Sequence, residues 1–312
     1  MKKTLLFIIT VTTALVCGCG MADNHGVTEP SGNVTDNTTA AEKETQNSLS
    51  EDKLLEIMEK ECQNTIENHV YADMDNDGNS ELIGTFADAN SGIHYVWYCS
   101  SDGNVCGRVT ESTAFFDSDS VSLIEYENFT HVIVNYYNMM GDYKQFTILG
   151  LKDGEIVMPV RNMNGFAEQA ETGIVNVIVE AYDGYYDASI DALIEHTWKN
   201  AYIFYDESAE KYKEYGATAI SEEEFVKYEN ADKIMNDIKN DISSSLMGTV
   251  EFKYYLRSNG ILEIQCADKS TSNDISYYYY SITCKDGKIT GEITDSCNGQ
   301  VMPCYTGLEA VY

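Results

Sequence analysis

The sequence predicts a mainly β fold of antiparallel hairpins, propeller-like or sandwich-like, with a helix at the start of the domain and a second helix near 221–242. An α+β arrangement is the alternative. Three observations carry this reading. Segments rich in β-branched and aromatic residues recur from HYVWYC at 94–99 to KITGEIT at 288–294, and such residues suit a pleated, half-buried surface. Asp102-Gly103, Asp153-Gly154, Asn259-Gly260 and Asp286-Gly287 each stand between two of those segments, and Asp-Gly or Asn-Gly supplies the positive φ angles of a tight hairpin turn. Helical periodicity, by contrast, only interrupts the β pattern.

The chain opens on MKKTLLFIITVTTALVCGCG, where Lys2 and Lys3 precede an apolar run from Leu5 to Val16 and a cluster of small residues. That is the build of a secretory signal, too short for a bilayer-spanning helix. Val16, Cys17, Gly18 and Cys19 resemble a bacterial lipobox. The resemblance implies cleavage after Gly18, diacylation of Cys19 and attachment to the cell membrane on its extracytoplasmic face. Residues 19–47 contain no aromatic residue and are dominated by Asn, Thr, Ser, Glu, Asp and Ala. Such a stretch buries too little apolar surface to offset its ordering entropy, so a disordered tether is expected. Residues 48–312 are left for the β domain, with a subdivision suggested near 221–245.

Within that domain Leu54, Leu55, Met58, Cys62 and Ile66 recur at helical spacing, and Ser48 with Glu51 offers a capping box. A helix from about Ser50 to His69 follows. Beyond an acidic loop come the strand segments, among them VSLIEY, FTHVIVNYY, QFTILGL, IVNVIVEAY, AYIFY, VEFKYYL, ILEIQ and SYYYYSITC. A short helix is expected over 188–199, with Leu193, Ile194 and Trp198 on one side. A stronger one starts where Ser221 and Glu224 form a capping box, its stripe made by Phe225, Tyr228, Met235, Ile238 and Ile242. The Asp-Gly turns at 102, 153 and 286 are unevenly spaced, so no repeat of fixed period is evident.

The acidic loop reads YADMDNDGNSELIG over residues 71–84. Asp73, Asp75 and Asp77 alternate, Gly78 follows, and Asn79 and Glu81 close the series. Calcium takes about six to eight oxygens; alternate side chains in a tight loop converge on one point, a glycine permits the sharp turn, and a backbone carbonyl adds a ligand. Gly84 stands where an EF-hand needs its bidentate Glu, so this is not an EF-hand. The pattern resembles the D-x-D-x-D-G-x-x-[DE]-apolar loops between strands of FG-GAP and VCBS type propeller repeats. The resemblance implies calcium held by Asp73, Asp75, Asp77, the main chain of Asn79, and Glu81. Glu81 replaces the usual Asp of those families, and the loop occurs once. More loosely, the first helix, this loop, the hairpins and the segment EEEFVKYENADKIMNDIK resemble uncharacterised Firmicute lipoproteins.

Charge narrows the partners. There are 51 acidic and 20 basic residues, and loss of Lys2 and Lys3 takes the formal charge from −31 to −33. Such a surface repels phosphate backbones and anionic lipid, so nucleic acid is excluded as a partner and membrane attachment is left to the lipid anchor. Cys99 and Cys106 flank SSDGNV, while Cys297 and Cys304 flank NGQVMP. Each pair is a candidate hairpin disulfide in an exported protein. Cys62 falls on the apolar helix face, as a buried inert thiol would.

Catalytic patterns are sparse. SEDK at 50–53 matches S-x-x-K without its companion motifs and is read as a helix cap; G-x-S-x-G, H-E-x-x-H and P-loop patterns do not occur. His94 and His131 lie in strand segments and His196 in the short helix, all expected to be structural. Among the 23 tyrosines, Tyr277 and Tyr279 share one strand face and could stack on a glycan or peptide ligand, or pack a core. The expected function is noncatalytic ligand binding or surface architecture, with calcium fixing the loop. The alternative is a secreted glycan or peptide hydrolase.

Overall fold

The computed structural model describes residues 48–112, 116–138, 144–181, 186–187, 192–193, 197–242, 250–268, 276–285, 287–298 and 301–312. Glu51 and Asp52, favourable at the positive end of a helix, open α1 (Glu51–Cys62) behind the extended N-cap Ser50. No side chain caps it, so the expected Ser48–Glu51 box does not form. The helix also stops short of the expected His69. Gln63 turns left-handed at φ 57°, and the Asn64 amide donates to Cys62 O at 3.0 Å. These local bonds compete with further helix, and the residues from Asn68 onward pair as a strand instead. Ile66 still joins Leu54 and Met58 in the core, though outside the helix.

Among the described residues successive hairpins build four large sheets and one two-stranded pair. The first is β1 (Asn68–Ala72), β2 (Glu81–Ala87), β3 (His94–Cys99) and β4 (Cys106–Glu111), in chain order and antiparallel. The second is β5 (Ser118–Glu125), β6 (Thr130–Tyr137), β7 (Lys144–Lys152) and β8 (Glu155–Asn164). Pro159 is accommodated because β8 is an edge strand. The third contains β9 (Phe166–Glu171) and β10 (Ile174–Ala181), then, past the small pair β11 (Tyr186–Asp187) and β12 (Ala192–Leu193), β13 (Thr197–Asp206) and β14 (Lys211–Tyr215). The fourth runs β15 (Ala217–Ile220), β16 (Val250–Arg257), β17 (Ile261–Asp268), β18 (Ser276–Lys285) and β19 (Lys288–Asn298). Finally β20 (Ala310–Val311) adds in parallel to β14. The domain is therefore mainly β, as expected. The short helix expected over 188–199 is not found: its described residues lie in β12 and β13, with the Lys144 ammonium 4.4 Å from the centre of the Trp198 ring.

Long apolar runs become strands covered on both faces. β2, β6 and β7 each bury six consecutive residues. Along β6, Val132, Val134 and Tyr136 pack with Ile83, Val96 and Tyr98 of the first sheet, whereas Ile133 packs with Val175, Val177 and Ile203 of the third. The second sheet is thus the middle layer of three. α1 covers the other face of the first sheet through Leu54, Met58, Leu82 and Phe86. At the other end of the chain Ser221 and Glu224 do form the expected box, opening α2 (Glu222–Phe225). The long helix expected to 242 is broken over residues 226–230, where Asn230 takes φ 73°, and resumes as α3 (Ala231–Ile242), whose Ile234 and Ile238 cover Leu262, Ile264 and Tyr280 of the fourth sheet.

Candidate metal centre

The acidic loop joins β1 to β2, and the pairing Ala72↔Glu81 holds its two ends side by side. Its own carboxylates wind it. Asp73 accepts from the backbone N–H groups of Asp77 at 3.1 Å and Gly78 at 2.9 Å, and Asn76 and Gly78 take positive φ angles of 59° and 94°. Gly78 suits its position because no side chain tolerates that angle readily. Met74 is the anchor: its side chain is buried, its N–H donates to Glu81 Oε2 at 3.0 Å, and its carbonyl accepts from Thr130 N at 3.1 Å.

Asp73, Asp75 and Glu81 converge, each offering an oxygen within 4.8 Å of the others. The Asp77 side chain is not brought into this group. The Asp77 carboxylate instead accepts the Asn79 backbone N–H at 2.7 Å and its amide at 3.0 Å, closing a local turn. Burial and like charges both work against ionisation of this cluster. Burial, with Asp75, Asp77 and Asp73 nearby, pushes Glu81 up to about 7, and burial beside Asp77 also raises Asp75. Asp75 Oδ1 is sealed from solvent without a hydrogen-bond partner. Among the described residues no Lys, Arg or His pairs with these carboxylates. A hard divalent cation answers each of these features, since it supplies positive charge to three oxygens and a partner to the orphaned one. Neither a known family, nor a curated protein, nor a solved structure matches this chain. The reading of the loop therefore rests on its own geometry.

Gly84 has a separate explanation. A Cβ there would lie 2.7 Å from Met58 Sδ and 2.9 Å from an Ile66 methyl. The position that departs from an EF-hand is where α1 and the chain after it lie against β2.

Other expected residues fall elsewhere. Cys99 and Cys106 are register partners across β3 and β4, and both are free thiols. The interaction of the two thiols, together with burial, raises Cys99, and the same interaction lowers Cys106 against the upward pull of its own burial, leaving Cys106 the more acidic. Cys304 is also a thiol, donating to Glu214 Oε2 at 3.0 Å and Leu308 O at 3.3 Å. The side chain of Cys297, expected as its partner, lies outside the described residues, as do the rings of Tyr277 and Tyr279, Cys19 and His196. Neighbouring Tyr280 is buried against α3 and donates to Asp241 at 3.2 Å.

His94 is a buried strut. Its Nδ1 meets Asp119 Oδ2 at 2.5 Å and its Nε2 meets Phe116 O at 3.1 Å, while Asn68 and Thr85 donate to Asp119 Oδ1. Burial alone would lower this imidazole, but the bonds to Asp119 and Phe116 outweigh it and raise it. Both ring nitrogens are thus engaged in holding the first sheet to the second. Sequence reasoning missed Asp119, because it lies outside any motif and 25 residues from the His94 it meets.

Proposed function

We propose that the chain is a lipid-anchored extracytoplasmic protein whose β domain is braced by calcium and serves noncatalytic ligand binding or surface architecture. The observation that carries the metal reading is the convergence of Asp73, Asp75 and Glu81 around the unpartnered Asp75 Oδ1. A cation there joins the two ends of the loop, and Met74 passes that order to the start of β6 through Thr130. Calcium acts as a brace; it performs no chemistry. The address rests on the lipobox resemblance, and among the described residues no helix is long and apolar enough to cross a membrane.

Two measurements test the proposal. Millimolar calcium raises the melting temperature of the purified chain, and Asp75→Ala abolishes the rise. An equal rise in the variant, or none in the unaltered chain, sinks the metal site. Cys19→Ala moves the protein from the membrane fraction to the soluble one, and unchanged membrane recovery sinks the anchor.

A further inference from the structure

An open groove of about 330 Å³ lies beside the candidate metal centre, between Asp75, the ends of β6, β7 and β8, and the end of β13. Its floor is aromatic. Half-buried Phe129 and Tyr205 stand with ring centres 5.7 Å apart, and buried His131 lies 4.9 Å from the first and 4.8 Å from the second. The arrangement is held from below: His131 Nδ1 bonds Tyr212 Oη at 2.9 Å, which bonds Tyr126 Oη at 2.8 Å, and the Tyr126 ring stacks on Phe129 at 4.4 Å. Gly150 makes room for the imidazole, for a Cβ there would sit 2.7 Å from it.

The rim is acidic. Asp153, Glu207 and Glu210 line it, against a single cation, Lys152; Asp75, also at the edge, is assigned to the metal centre and not to the ligand. Lys152 is already paired with Glu210 at 2.5 Å. Among the described residues Asp153 and Glu207 form no ion pair within salt-bridge distance, and both are exposed at the mouth. Aromatic faces beneath free carboxylates suit an organic cation: the rings attract its charge and its apolar stem, and the carboxylates take its N–H groups. A planar guanidinium fits better than an ammonium, because it stacks flat on a ring while its edge donates.

We propose that this groove is the ligand site of the domain and takes a guanidinium group on an apolar stem, as in an arginine side chain of a basic peptide. The proposal rests on the ligand-binding reading above, and it does not depend on calcium. The formal charge of −31 would speed the approach of such a ligand.

The test is calorimetric titration of the purified full chain with N-acetyl-arginine amide, neutral N-acetyl-citrulline amide and N-acetylglucosamine, with and without calcium. The arginine probe is expected to bind about tenfold or more tightly than the citrulline probe, and more weakly as salt is raised. Glu207→Gln, at an exposed position, weakens it about threefold, and Tyr205→Ala weakens it about fivefold or more. Equal binding of arginine and citrulline probes, preference for the sugar, or no arginine binding overturns the proposal. Arginine binding that neither substitution alters places the ligand elsewhere, overturning the groove while leaving the ligand-binding reading intact. A calcium-induced rise in melting temperature without arginine binding separates failure of the groove from failure of the metal site.

Discussion

His131 illustrates what burial does to one residue. Its imidazole is 4% exposed, and burial pushes it down to about 4 from an ordinary value of 6.5. The sign of the consequence follows from which state binds the proton first. As pH falls below 6.5 the unfolded chain protonates this residue while the folded chain does not, so stability present above 6.5 is progressively lost until about pH 4. The difference corresponds to about 3 kcal/mol. Urea unfolding at a series of pH values should show a shallower decline over this window for His131→Phe than for the unaltered chain. Parallel declines would mean that the imidazole is not held neutral. Glu81 is the opposite case, an acid raised by burial and neighbouring carboxylates, whose charge a bound cation would offset, whereas His131 avoids the cost by staying neutral.

At the scale of elements, the most informative contact is that of α1 with β2. Packing in this layer is close enough that a Cβ at Gly84 would force Met58 and Ile66 to shift, so Gly84→Ala should cost about 1–3 kcal/mol through overpacking. Chemical denaturation measures this. A loss below about 0.5 kcal/mol would show that the helix shifts freely on the sheet. The same layer shows how much of an element is legible in sequence. HYVWYC maps onto β3 residue for residue, and Asp102-Gly103, Asp153-Gly154 and Asn259-Gly260 each sit between paired strands, because turn chemistry and β-branching act locally. Helix ends were less legible. The stripe of Leu54 and Met58 continues in pattern through Ile66, yet pairing of Asn68–Ala72 with β2 takes the chain out of the helix first. Trp198 likewise belongs to β13 because β10 pairs with it along eight residues, outweighing a weak helical pattern.

For the whole molecule, the last segment of the chain ties the third sheet to the fourth through buried charge. Arg257 is fully buried; it donates to Glu263 Oε1 at 2.7 Å, Tyr215 O at 2.9 Å and Met302 O at 3.1 Å, and its guanidinium lies 4.9 Å from the Tyr305 ring. Glu214, 3.5 Å from Arg257, accepts from Tyr305 N and Thr306 N, both at 2.8 Å. Removing one member strands the others in a medium that cannot solvate them. Arg257→Ala should therefore cost about 3–5 kcal/mol. Equilibrium unfolding tests this, and a cost under about 1 kcal/mol would mean that water replaces the guanidinium. Nothing in the spacing of Glu214, Arg257 and Glu263 announces this network, because the three come together only when β14, β16 and β17 are assembled.

The sequence by itself determined the mainly β class, the positions of about half of the described strands and of their tight turns, the acidic loop with its one missing EF-hand ligand, and the excess of negative charge. These depend on neighbours along the chain, where side-chain alternation, turn propensity and charge already operate. Only the tertiary structure decided that Asp73, Asp75 and Glu81 converge while Asp77 closes a turn, that the second sheet is buried on both faces, and that Phe129, His131 and Tyr205 line one groove. Each of those depends on which face of one sheet meets another, and on the desolvation that follows, quantities that exist only after distant strands have packed.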